Sequence, residues 1–161
     1  MAAHVLVVAT VTATSDDLMA ALEERVRRAA VPVDFLLVMP ASGPDADATQ
    51  PRLDEALEHW RAAGLKAEGE VGDADPVNAI AELWRPGRFD EVIVSTLPGQ
   101  TSRWIRWDVP SRIAALTDLP VTHVVALSMA RTAPRGAPLP RRKREPLGML
   151  NVMAYRGVHP R

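Results

Sequence analysis

At 161 residues the chain has room for one domain with a real core and too little for two of ordinary size. Apolar residues at 47% and charged residues at 24% are ordinary globular values, and the absence of Cys excludes disulfides and thiolate chemistry. No basic segment leads into an apolar one at the N-terminus and no apolar run reaches membrane-spanning length, so a cytoplasmic protein in a reducing compartment is expected.

The net charge of −1 hides an asymmetry. From Ala130 onward eight basic residues face Glu145 alone, a net +7, which leaves −8 on Met1 to Met129. Two charge regimes predict a folded acidic body over residues 1–129 and a basic, Pro-rich tail over 130–161 that is disordered or docked.

In chain order, His4 to Ala9 is a continuous apolar run with three valines, as suits a parallel strand buried on both faces. Thr10 to Thr14 reads as a polar loop. Ser15 is a good N-cap, with Asp16 and Asp17 well placed near the helix dipole, and Leu18, Leu22 and Val26 mark the apolar side of the first helix. Val33 to Met39 is a second buried strand, stopped by Pro40. Ala41 to Gln50 reads as loop; Leu53, Leu57 and Trp60 mark the second helix, and Gly64 suits its C-terminal cap. Leu65 to Val71 alternates imperfectly and holds Gly69, the pattern of an edge strand. Asp75 and Pro76 open a third helix carrying Val77, Ile80 and Trp84, closed by Pro86-Gly87.

The most informative stretch is Glu91 to Trp104. Glu91 to Val94 reads as a buried strand, and Ser95-Thr96-Leu97-Pro98-Gly99-Gln100-Thr101-Ser102 follows as a loop, with Arg103, Arg106 and Arg112 at the entrance to the next helix. Ligands of open α/β sheets sit where strands end and helices begin, and a loop of this composition offers hydrogen-bond donors to an anion. Asp108 is placed to cap a fourth helix with Ile113 and Leu116 on its apolar side, and Val121 to Leu127 is the last strand. Five strands alternating with four helices predict an α/β fold, a mostly parallel sheet with helices on both faces.

The strand end Val94-Ser95-Thr96, the turn Gly72-Asp73 with Pro76 and Ala79-Ile80, and the run Leu119-Pro120-Val121-Thr122-His123-Val124 together resemble the universal stress protein (UspA) family. With Leu97-Pro98 and Ser102-Arg103-Trp104 added, the pattern looks like an actinobacterial UspA-like branch. The resemblance spans roughly residues 4 to 127. It implies a Rossmann-like, adenine nucleotide alpha hydrolase-like sheet in the order 3-2-1-4-5, a homodimer through the last strand and, in one subset, ATP binding.

That subset carries G-x-x-G-x9-G-[ST] after strand four and an Asp at the end of strand one. Here Ser95 stands at the first Gly, the second falls on Pro98 or Gly99, and the third falls near Trp107-Asp108. A residue around Thr10 replaces the Asp. Glycine lets backbone approach phosphate and permits positive φ, and a carboxylate at Asp108 repels a triphosphate. The nucleotide set carried over is Thr10, Val38, Pro40, Gly72, Ser95, Thr96, Gly99, Ser102 and Arg103, for ATP or AMP. Thr12 can share the role of Thr10 through its hydroxyl, and Asp73 reads as a plain turn residue.

The four His lie on separate elements with no metal-binding spacing, and no nucleophile–base pair can be assembled, so no catalytic or metal-ligating residue is named. Trp104 and Trp107 read as anchors for the loop. Four basic residues at Arg141 to Arg144 without interleaved aromatics read as a solvated stretch rather than a nucleic-acid or membrane contact. The expected function is a nucleotide-linked stress or regulatory protein, acting by a ligand-dependent population shift in the Ser95–Arg103 loop. The alternative is a dimerising or partner-binding module that makes its contact through the basic tail and binds no nucleotide.

Overall fold

The computed structural model describes residues 1–41, 46–99 and 102–130. The basic tail, Gln100 and Thr101 lie outside them, so the readings of the tail and of Thr101 have no structural counterpart here.

Five strands form one sheet in the order β3-β2-β1-β4-β5: β1 (Ala3–Val8), β2 (Val33–Pro40), β3 (Lys66–Gly72), β4 (Glu91–Thr96) and β5 (Val121–Val125). Every pairing is parallel, so the sheet is parallel throughout. Alternation along the strands divides the apolar side chains between two layers. Val5, Val7, Phe35 and Leu37 face α1 (Asp16–Arg28) and α2 (Thr49–Ala62). Leu6, Val8, Val92 and Val94 face α3 (Pro76–Leu83) and α5 (Val109–Thr117). Covering both faces explains why the central strands read as unbroken apolar runs.

The helix starts follow local chemistry. Ser15 Oγ accepts from the Leu18 amide at 3.2 Å, and Asp75 Oδ1 accepts from the Val77 amide at 2.8 Å. Gly64 ends α2 at φ +85°, where a side chain is disfavoured. Gly69 is a packing residue: a Cβ there would stand 2.7 Å from Leu53 Cδ1, so its absence lets α2 settle on the edge strand.

Four local expectations are corrected. Ser95 and Thr96 belong to β4 and not to the loop, because they continue the ladder with Val124 and Val125 of β5. A fifth helix, the single turn α4 (Arg103–Arg106), precedes the expected one, and Ser102 is its N-cap. Asp108 begins α5 by position, in the left-handed conformation at φ 50°, and its side chain makes no cap hydrogen bond. Val26 is exposed, so only Leu18, Met19 and Leu22 of α1 are buried. Among the described residues no helix is long and apolar enough to cross a membrane.

Candidate functional site

The sheet order places the carboxyl ends of β1 and β4 side by side, while their following connections diverge. That is the switch point at which open α/β sheets form a crevice. After β1 the chain makes a 3-10 turn over Val11–Thr14 before α1 begins, and this turn packs against β4 and α2. Trp60 of α2 fixes it: the fully buried indole Nε1 donates to the Ala13 carbonyl at 2.7 Å, and its ring meets Phe35 edge-on, 6.3 Å between centroids.

Two hydroxyls stand out at this end of the sheet. Thr12 on the turn and Ser95 on β4 are each 1% exposed, and neither Oγ has a hydrogen-bond partner among the described residues. A buried hydroxyl without a partner costs about 1–3 kcal/mol. Ser95 shares a sheet face with Ile93, in the layer that includes Ala13 of the turn. Thr96 alternates to the other face, where its Oγ1 lies 2.7 Å from His123 Nε2 on β5. Burial lowers the His123 pKa from its ordinary 6.5, so the neutral ring is favoured.

The other candidate positions line the same end of the sheet. Thr10 is half-buried just before the turn. Val38 is buried against α3, and its carbonyl accepts from the Ala9 amide at 3.3 Å. Pro40 pairs with Gly72 at the ends of β2 and β3. A Cβ on Gly72 would lie 2.7 Å from Ala79 Cβ, so this glycine permits the close approach of α3. Asp73 Oδ1 accepts from the Asp75 amide at 2.8 Å, the turn role read from sequence.

Beyond β4, Gly99 takes φ +66° with open space where a Cβ would project. Buried Ser102 accepts from the Ile105 amide, at 3.4 Å. Arg103, Arg106 and Arg112 are exposed, and none forms an ion pair within 4.0 Å with a described carboxylate. Trp104 packs on the α3–α5 core as an anchor, whereas Trp107 is 53% exposed and joins neither core layer among the described residues.

Three connections escaped the sequence reading. The Trp60–Ala13 bond joins residues 47 apart, and the Thr96–His123 bond residues 27 apart. Asp17, read as a dipole charge, also accepts from the Ser128 amide at 2.6 Å and so holds the segment after β5 to the start of α1. None has a local signal; each needs the sheet order first. Among the described residues no group of three His, Asp or Glu is placed to hold a metal.

No protein-family model matches the chain, and no curated protein matches it. Solved structures do. One is a universal stress protein in complex with cAMP, 19% identical, covering 77% of this chain and 97% of its own, with a TM-score of 0.51. Another is a universal stress protein from Archaeoglobus fulgidus, 16% identical, covering 77% and 98%, with a TM-score of 0.54. A third, a universal stress protein family protein from Arabidopsis thaliana with AMP bound, is 16% identical and covers 82% and 97%, with a TM-score of 0.57. These likenesses are likenesses of fold, and the sheet order and element sequence agree with them.

Proposed function

We propose that this chain, built on the universal stress protein fold, is a cytoplasmic regulatory protein that binds an adenine nucleotide, ATP or AMP, where β1 and β4 end. The observation that carries the reading is the pair of buried hydroxyls on Thr12 and Ser95 that have no hydrogen-bond partner among the described residues. Groups held at a cost to stability, at the switch point of the sheet, suit a ligand that supplies the missing partners. Gly99 at positive φ, and Arg103, Arg106 and Arg112, which form no ion pair among the described residues, add a pliant backbone and countercharge for phosphate. Fold relatives hold AMP and cAMP, which supports the adenine nucleotide class. Both hydroxyls are buried. Binding therefore selects a conformation in which they open to the nucleotide, and that shift is the output read by a partner. Native mass spectrometry of protein purified from cells tests this, followed by titration with ATP and with AMP. A co-purifying adenine nucleotide, or saturable binding lost in Gly99→Asp, is expected. A clean apo protein indifferent to both nucleotides overturns the reading.

For assembly we propose a homodimer through β5. This edge strand leaves its outer backbone groups unpaired by other described strands and keeps Val121, Val124 and Val125 only half-buried, with exposed Leu127 beside them. Sedimentation should give twice the 17.5 kDa chain mass, and Leu127→Lys, at an exposed position beside the strand, should give the monomer with its fold intact. A wild-type monomer at high concentration contradicts it.

A further inference from the structure

The opposite end of the sheet holds a cavity of about 760 Å³ where β1, β2 and β3 begin, walled by the connection from α3 to β4. It lies away from the carboxyl-end crevice, and its case is independent of the nucleotide reading. The volume is that of sites for small organic ligands. Phe35, Leu36, Leu65 and Phe89 supply an apolar lining, and ionic side chains stand among them.

The charges do not cancel. Asp34 is met by Lys66, whose Nζ is 3.0 Å from Oδ1, and by His4, whose Nδ1 is 3.7 Å from Oδ2. Arg61 and Arg88 have no carboxylate partner within 4.0 Å among the described residues, yet both are held in place. Arg61 Nε and Nη2 donate to the Ala67 carbonyl at 3.1 and 2.8 Å. Arg88 Nη1 donates to the Leu83 carbonyl at 2.9 Å, and its guanidinium carbon stands 5.1 Å from the centre of the Phe89 ring. Each guanidinium keeps further N–H donors beyond those used, in a fixed fork suited to carboxylate. Glu68, exposed on the edge strand, is the one lining carboxylate that opposes an anion without a cation partner among the described residues.

We infer that this cavity is a second ligand site, selective for a small organic anion with an aromatic or apolar body. The apolar lining takes the body, Arg61 and Arg88 take the carboxylate, and Glu68 limits the affinity. The probe is 2-naphthoate, with neutral 2-naphthamide as its control, titrated into the full chain and followed by amide NMR shifts.

Saturable shifts at Lys66, Glu68, Gly87 and Phe89 are expected, with 2-naphthamide weaker by about tenfold. Arg61→Gln and Arg88→Gln should each weaken 2-naphthoate by about tenfold, and Glu68→Gln, a surface change with no fold to lose, should tighten it. Equal binding of the amide and the acid overturns the inference. So do shifts confined to Ser95–Gly99, absence of shifts, or indifference of binding to both Arg88→Gln and Glu68→Gln.

Discussion

Trp60 shows how a core residue sets the geometry of a site it does not line. Its burial holds α2 to the sheet, and its indole N–H holds the turn that carries Thr12. In Trp60→Phe the Ala13 carbonyl loses its donor, so thermal unfolding should show a loss of about 1–3 kcal/mol. Amide exchange should also quicken over Val11–Thr14 more than over α1. Equal protection across both would detach the indole from the turn. Gly72 works by absence. Gly72→Val pushes Cβ into Ala79 at the start of α3, and denaturant melts should report a loss of about 1–3 kcal/mol. A neutral effect would mean that α3 rides further from the sheet than its contacts indicate. At this scale the sequence was legible where information is local. Ser15, Asp75 and Gly64 announced their caps because a cap needs only its neighbours. The Trp60 bond was illegible because its partner sits 47 residues away.

Among the elements, the strands were legible because burial on both faces writes a continuous apolar run. The end of β4 was not. Ser95 and Thr96 have the composition of a loop, but pairing with β5 overrides that preference and carries both hydroxyls into the interior. The single turn α4 was missed because four residues show no period. The β4–β5 pair makes its own pH prediction. His123 titrates below its ordinary 6.5 in the fold because burial disfavours the charged ring, so the unfolded chain binds the proton more readily. Stability from this group is present above 6.5 and is lost as pH falls through that value toward the lower folded pKa. Melting temperature should fall as pH drops below 6.5, and His123→Gln should flatten that slope. An unchanged slope in the variant would assign the effect to other groups.

For the whole molecule, sheet order is the decisive fact. With every strand parallel, it puts the candidate positions at four strand ends on one side of the sheet, sends β5 to an open edge, and leaves the cavity and its two arginines at the far end. The sequence pointed to the fold through alternating strands and helices and through a family resemblance, and Ser95 and its neighbours marked the strand end at which the nucleotide site is proposed. It could not show which hydroxyls would be left without partners among the described residues, because that depends on how the Val11–Thr14 turn lies against β4. The measurement that bears most directly on the nucleotide reading is a paired one, on Ser95→Ala and Thr12→Val: unfolding free energy of the free protein beside affinity for AMP and ATP. Removing an unsatisfied buried hydroxyl should leave the free protein as stable as before, or more stable by about 1 kcal/mol, while nucleotide affinity falls by about tenfold. Stability that drops with affinity unchanged would make these hydroxyls structural and contradict the account.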